Sequence, residues 1–199
     1  VSHNLNAVPE LIIVKARDVV DHWQVYSSVT DETDFLMLNS TDATNDQSSK
    51  WNDTAPTSSV FTLGSGGRTN QNGSDVICYA FTSVSQYSAF GSYSGNGSAT
   101  EGPFIFTGMR PSWLLLKESS SSGELWTLYD SARNTFNVAG KQLYPSLSSA
   151  EADASADTHA RVDFLSNGFK IRGSHSSINT SGETIVYAAF AEHPFKTAR

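Results

Sequence analysis

One cysteine, Cys78, stands among 199 residues, so no disulfide can close within the chain. Its place in the run Val76-Ile77-Cys78-Tyr79-Ala80-Phe81 fits a small buried side chain. Of the histidines, none of His3, His22, His159, His175 and His193 lies at a zinc-ligand spacing from another His or Cys, so neither a metal nor a cofactor is expected. A Gly-rich phosphate loop, a Gly-x-Ser-x-Gly elbow and a Cys-x-x-Cys pair are all missing, which removes the support for three common enzyme routes. Charge is scarce at 17% and skewed, with 13 basic against 20 acidic residues and a net charge of -7. That field repels a phosphate backbone, so no nucleic-acid partner is expected. The longest apolar runs, Leu11 to Val14 and Ile185 to Ala191, fall far short of the roughly 20 residues a membrane helix needs, and no membrane insertion is expected.

Ser, Thr, Asn and Gly fill the space that charge and apolar residues leave. They suit short strands joined by polar loops. Within this background a pattern recurs. Pro9-Glu10-Leu11-Ile12-Ile13-Val14-Lys15 leads to Trp23-Gln24-Val25-Tyr26, and Pro111-Ser112-Trp113-Leu114-Leu115-Leu116-Lys117 leads to Trp126-Thr127-Leu128-Tyr129. Val60-Phe61-Thr62-Leu63 corresponds to Gly168-Phe169-Lys170-Ile171, and the run ending at Phe81 corresponds to the one ending at Phe190. The same order of Pro, Lys, Trp, Tyr and Phe anchors with a slowly growing offset indicates duplication, with an insertion in the second copy between Tyr129 and Phe169. The anchors have structural work to do: Pro9 and Pro111 fix strand entries, while Trp23 with Tyr26 and Trp126 with Tyr129 pack a core. Trp23 and Trp126 are expected in related buried positions.

Leu11 to Lys15 and Trp113 to Lys117 are short apolar runs suited to central strands covered on both faces. Gly64, Gly66-Gly67 and Asn72-Gly73 supply turns before the Val76 to Phe81 strand. The one candidate helix, Ser146 to Thr158, has little apolar content, so a loop with a helical turn is expected there. About ten to fourteen strands at hairpin spacing predict an all-β chain, a β-sandwich made of two repeats, 1–92 and 93–199, packed as one compact unit. The start at Val1 suggests a piece of a longer chain.

No catalytic residue is assigned. Asp53, Glu124, Asp130 and Asp163 are available for a two-carboxylate glycosidase arrangement, but surface acids are the first reading of each. Asp130 and Arg133, three apart on a turn, are expected to bridge. Trp51, followed by Asn52 and Asp53, is first a hydrophobic plug closing its loop. Its second reading is an indole that stacks on a sugar ring while the polar neighbours take hydroxyls. Tyr144, in the inserted region, is the other glycan-contact candidate, because features that do not recur in both copies are not demanded by the fold.

Several stretches resemble repeat domains of tail-fibre-like and virion proteins from marine, cyanophage-like bacteriophages. They are VSHNLNAVPELIIVK at 1 to 15, WNDTAPTSSVFTLG at 51 to 64, FGSYSGNGSATEGPFIFTGMRPSWLLLK at 90 to 117, LYDSARN at 128 to 134, DFLSNGFKIR at 163 to 172 and VYAAFAEHPF at 186 to 195. The resemblance covers nearly the whole chain. It implies a concanavalin-A-like or lectin-like β-sandwich in a phage appendage, located in the virion and assembled as a homo-oligomer, with a trimer favoured. Host-surface glycans or other virion proteins are the implied partners, and a structural spacer or a carbohydrate-active enzyme are the alternatives. In that setting the SYSGNGS segment precedes each unit; here it precedes only the second, at 92 to 98, as expected for a chain that begins inside a repeat array.

Overall fold

Runs of β-branched and large apolar residues form the central strands of a computed structural model that describes residues 1–156 and 159–195. The first sheet collects β1 (Leu11–Ala16), β2 (Gln24–Ser27), β3 (Asp34–Met37), β4 (Asn45–Asp46) and, after a single helical turn α1 (Gly67–Asn70), β5 (Val76–Phe81). Its order is β4-β3-β2-β1-β5. The second half supplies β6 (Ser88–Ser94), β7 (Phe104–Phe106), β8 (Pro111–Glu118), β9 (Trp126–Asp130), β10 (Lys141–Gln142), β11 (Ala152–Asp153), β12 (Val162–Leu165), β13 (Gly168–Ile171), a second helical turn α2 (Ser176–Asn179) and β14 (Thr184–Ala191). These make a four-stranded sheet β6-β14-β8-β9, a three-stranded sheet β12-β13-β7 and the small pair β10-β11. All pairings between the named strands are antiparallel.

Alternation along the strands stacks the sheets. Leu114, Leu116, Tyr129 and Ile185 point from the four-stranded sheet onto Ile105, Phe164, Phe169 and Ile171 of the three-stranded sheet. On the opposite face Leu115, Trp126, Ala188 and Phe90 meet Leu11, Val25 and Leu36 of the five-stranded sheet. The far face of that sheet, with Ile12, Val14, Tyr26 and Phe35, is sealed by Trp51 and Phe61 from the segment between β4 and α1. The protein is therefore all-β, a sandwich extended to three sheets, and each central strand is apolar on both faces because each face is covered.

The two central hairpins share one geometry. Ile12 pairs with Tyr26 on one side and Ala80 on the other, while Leu114 pairs with Tyr129 and Ala189. Leu11 faces Phe81 and Trp113 faces Phe190. Phe61 covers the first set and Phe169 the second, each buried. The sets also meet through corresponding faces: the Phe81 and Phe190 rings pack edge-on, with centroids 5.8 Å apart.

Three expectations change. The boundary at 92/93 falls inside β6, which belongs wholly to the four-stranded sheet through its pairing with β14. Of the two indoles only Trp126 is a core residue, its Nε1 donating across the sheets to the Met37 carbonyl at 2.9 Å. Trp23, just before β2, is half-buried. The helical turns lie at α1 and α2, whereas Ser146 to Ala156 is loop and turn around β11; Asp157 and Thr158 lie outside the described residues.

Candidate functional site on the outer sheet

The three-stranded sheet turns one face to the core and one outward. On β7, Ile105 is buried while its neighbours Phe104 and Phe106 are 47% and 68% exposed. Residues two apart on a strand share a face about 7 Å apart, so both rings stand on the outward face. Register across the sheet sets two rows, Phe104 beside Lys170 and Asp163, and Phe106 beside Gly168 and Leu165. Gly168 is required by close approach: a Cβ there would stand 2.0 Å from the Ile105 carbonyl oxygen and 3.1 Å from the Phe104 ring. The Phe104 ring thus lies against backbone.

Charged groups frame the rings in pairs. Lys170 Nζ is 3.3 Å from Glu101, and Arg172 Nε is 3.5 Å from Asp163. Both pairs are partly exposed and screened, so they add little to stability. They do place donors and acceptors beside two open aromatic faces without a net charge.

The expected glycan contacts lie elsewhere and do not converge. Trp51 is 2% exposed, its Nε1 donates to the Asp34 carbonyl at 2.9 Å, and its ring meets Tyr26 edge-on at 5.8 Å. With no open ring face it is unavailable to a sugar, and its packing is that of a plug. Asn52 and Asp53 occupy the following exposed turn with φ of 59° and 43°, a left-handed conformation that Asn and Asp tolerate. Tyr144 is half-buried, its hydroxyl donating to Gln142 Oε1 at 3.0 Å.

Residues 1–194 match the model of a family described as "Domain of unknown function (DUF7483)". The chain belongs to this family. No curated protein and no solved structure matches it.

In this DUF7483 domain the four carboxylates considered for catalysis are engaged separately. Asp130 Oδ2 accepts from Arg133 Nε at 2.6 Å, closing the turn after β9 as its spacing predicts. Glu124 Oε2 accepts from the Ser176 and Ser177 hydroxyls at 2.8 Å each. Asp163 faces Arg172, and Asp53 sits on the exposed turn after Trp51. Among the described residues no group of three or more His, Cys, Asp or Glu is placed to hold a metal, and no helix is long and apolar enough to cross a membrane. Lys117 is buried, and its ammonium donates to the Glu118 and Glu124 carbonyls at 2.7 and 3.0 Å. Burial pushes its pKa below the usual lysine value, with nearby Glu118 opposing. This lysine holds the β8–β9 loop rather than serving a site.

Sequence reasoning passed over Phe104 and Phe106. Their signal is the alternation Phe-Ile-Phe after Pro103, which fixes that both lie on one face. It leaves open which face meets water, since all three side chains are apolar.

Proposed function

We propose that this DUF7483 chain, two divergent copies of one strand unit, is a non-catalytic recognition module of a phage virion appendage that contacts uncharged host-surface saccharides. The exposed Phe104–Phe106 pair carries the reading. Two rings on the outward face of a strand accept the apolar faces of sugar rings, and the flanking Lys170–Glu101 and Arg172–Asp163 pairs offer donors and acceptors to hydroxyls without favouring a charged ligand. The likeness of the sequence to phage tail-fibre repeats supplies the virion setting and the multivalency. Each contact replaces water and leaves a modest gain, so a single site binds at about 0.1 to 1 mM and adhesion comes from many copies, as in the trimer that the likeness implies.

A glycan array probed with a multimerised chain tests this. Binding to neutral surface glycans that falls at least tenfold in Phe106→Ser, with the fold retained by circular dichroism, is the expected result. Unchanged binding in that variant removes the site. Failure of the parent chain to bind any neutral glycan removes the saccharide reading and favours a structural spacer.

A further inference from the structure

The two central hairpins pair their strands in the same register but differ at one sheet edge. In the four-stranded sheet β14 has a partner on each side, β8 and β6. Among the described residues its counterpart β5 pairs only with β1 and ends the five-stranded sheet.

Backbone phase makes the difference concrete. Ala191 N–H donates to the Tyr87 carbonyl at 2.9 Å, so Ile185, Tyr187 and Ala189, paired with Tyr93, Gly91 and Ala89, spend their N–H and C=O groups on β6. On the other hairpin Arg17 N–H donates to the Asp75 carbonyl at 2.8 Å. The same alternation then turns Ile77 and Tyr79 toward β1 and points the N–H and C=O of Val76, Cys78 and Ala80 away from it. Those groups stand at the positions where β14 meets β6.

Val76–Phe81 has no charge and no proline, and it is paired with β1 without a break in register over six residues. Every side chain on it is at least partly open to solvent, Tyr79 most of all.

We infer that the β5 edge is a docking site for an extended strand of a partner polypeptide, added antiparallel as β6 is added to β14. The partner chemistry follows from β6 itself. An uncharged stretch of small residues carrying two aromatics, like Ser88–Ser94, is the form that β14 accepts and that the β5 edge is expected to take. This inference rests on sheet geometry and stands apart from the saccharide reading.

The test uses the full chain and a synthetic peptide of sequence Ser-Ala-Phe-Gly-Ser-Tyr-Ser, followed by amide hydrogen exchange. Saturating peptide is expected to slow exchange at Val76, Cys78 and Ala80 at least tenfold while leaving Ile77 and Tyr79, already bonded to β1, unchanged. A Cys78→Pro variant, which removes one outward N–H, is expected to weaken the peptide at least tenfold; Ala80→Pro serves if the first variant does not fold. Unaltered exchange at the three edge amides overturns the inference. So does a change confined to Ile185, Tyr187 and Ala189, which means that the peptide replaces β6, or protection of the edge amides in a dimer before peptide is added.

Discussion

Trp51 shows what one residue's sequence context can and cannot convey. A tryptophan in a polar, turn-prone stretch was legible as either plug or platform, and nothing local separates the two. The Asp34 carbonyl and the Tyr26 ring, which decide the matter, lie on strands far away in sequence. Truncating a filled indole site of this kind costs about 3–5 kcal/mol. Trp51→Ala is therefore expected to lower unfolding free energy by that amount in urea denaturation, with saccharide binding intact in the folded fraction. Tyr93 supplies a second prediction. Its hydroxyl donates to the Ile178 carbonyl at 2.7 Å, and burial first, then Tyr129, holds its pKa well above 10.0. Because the folded state keeps this proton where the unfolded chain releases it, the associated stability is full below pH 10.0 and is lost as pH rises beyond it. Denaturation curves above pH 10.0 should fall less steeply for Tyr93→Phe than for the parent, although the variant starts about 1 kcal/mol lower at pH 7. Equal slopes would assign the alkaline loss to other groups.

Among the elements, β1 and β8 were legible because runs of apolar residues bounded by Pro and Lys have one stable use, a strand covered on both faces. Their hairpin partners followed from the Trp-x-x-Tyr spacing. The sheet to which β6 belongs is not legible locally, since membership depends on pairing with β14 some hundred residues later in the chain. The outward face of β7 was hidden for a related reason. Alternation groups Phe104 with Phe106, and only the identity of the covering layer, which meets Ile105 and leaves the other face bare, assigns them to the surface. Gly168 ties this platform to the fold. Gly168→Ala forces a methyl group against the Ile105 carbonyl and the Phe104 ring, an overpacking expected to cost about 1–3 kcal/mol by thermal or urea unfolding. A neutral outcome would mean that β7 and β13 separate freely, which would also weaken the case for a preformed aromatic pair.

At the scale of the whole molecule, three sheets stack and the two outermost faces differ. On one outer face Trp51 and Phe61 form a lid; on the other Phe104 and Phe106 stand open. The sequence pattern carried the all-β class, because short-range alternation bounded by turn residues records it. It did not carry the third sheet or the exposure of Phe104 and Phe106, which arise from how one covered hairpin lies on another. The most direct test of the recognition reading is a two-dimensional amide NMR titration of the folded chain with a neutral saccharide selected on the array. The account predicts shifts that saturate together and cluster at Phe104, Phe106, Gly168 and Lys170. Shifts centred instead on Asn52, Asp53 or Tyr144 would contradict it.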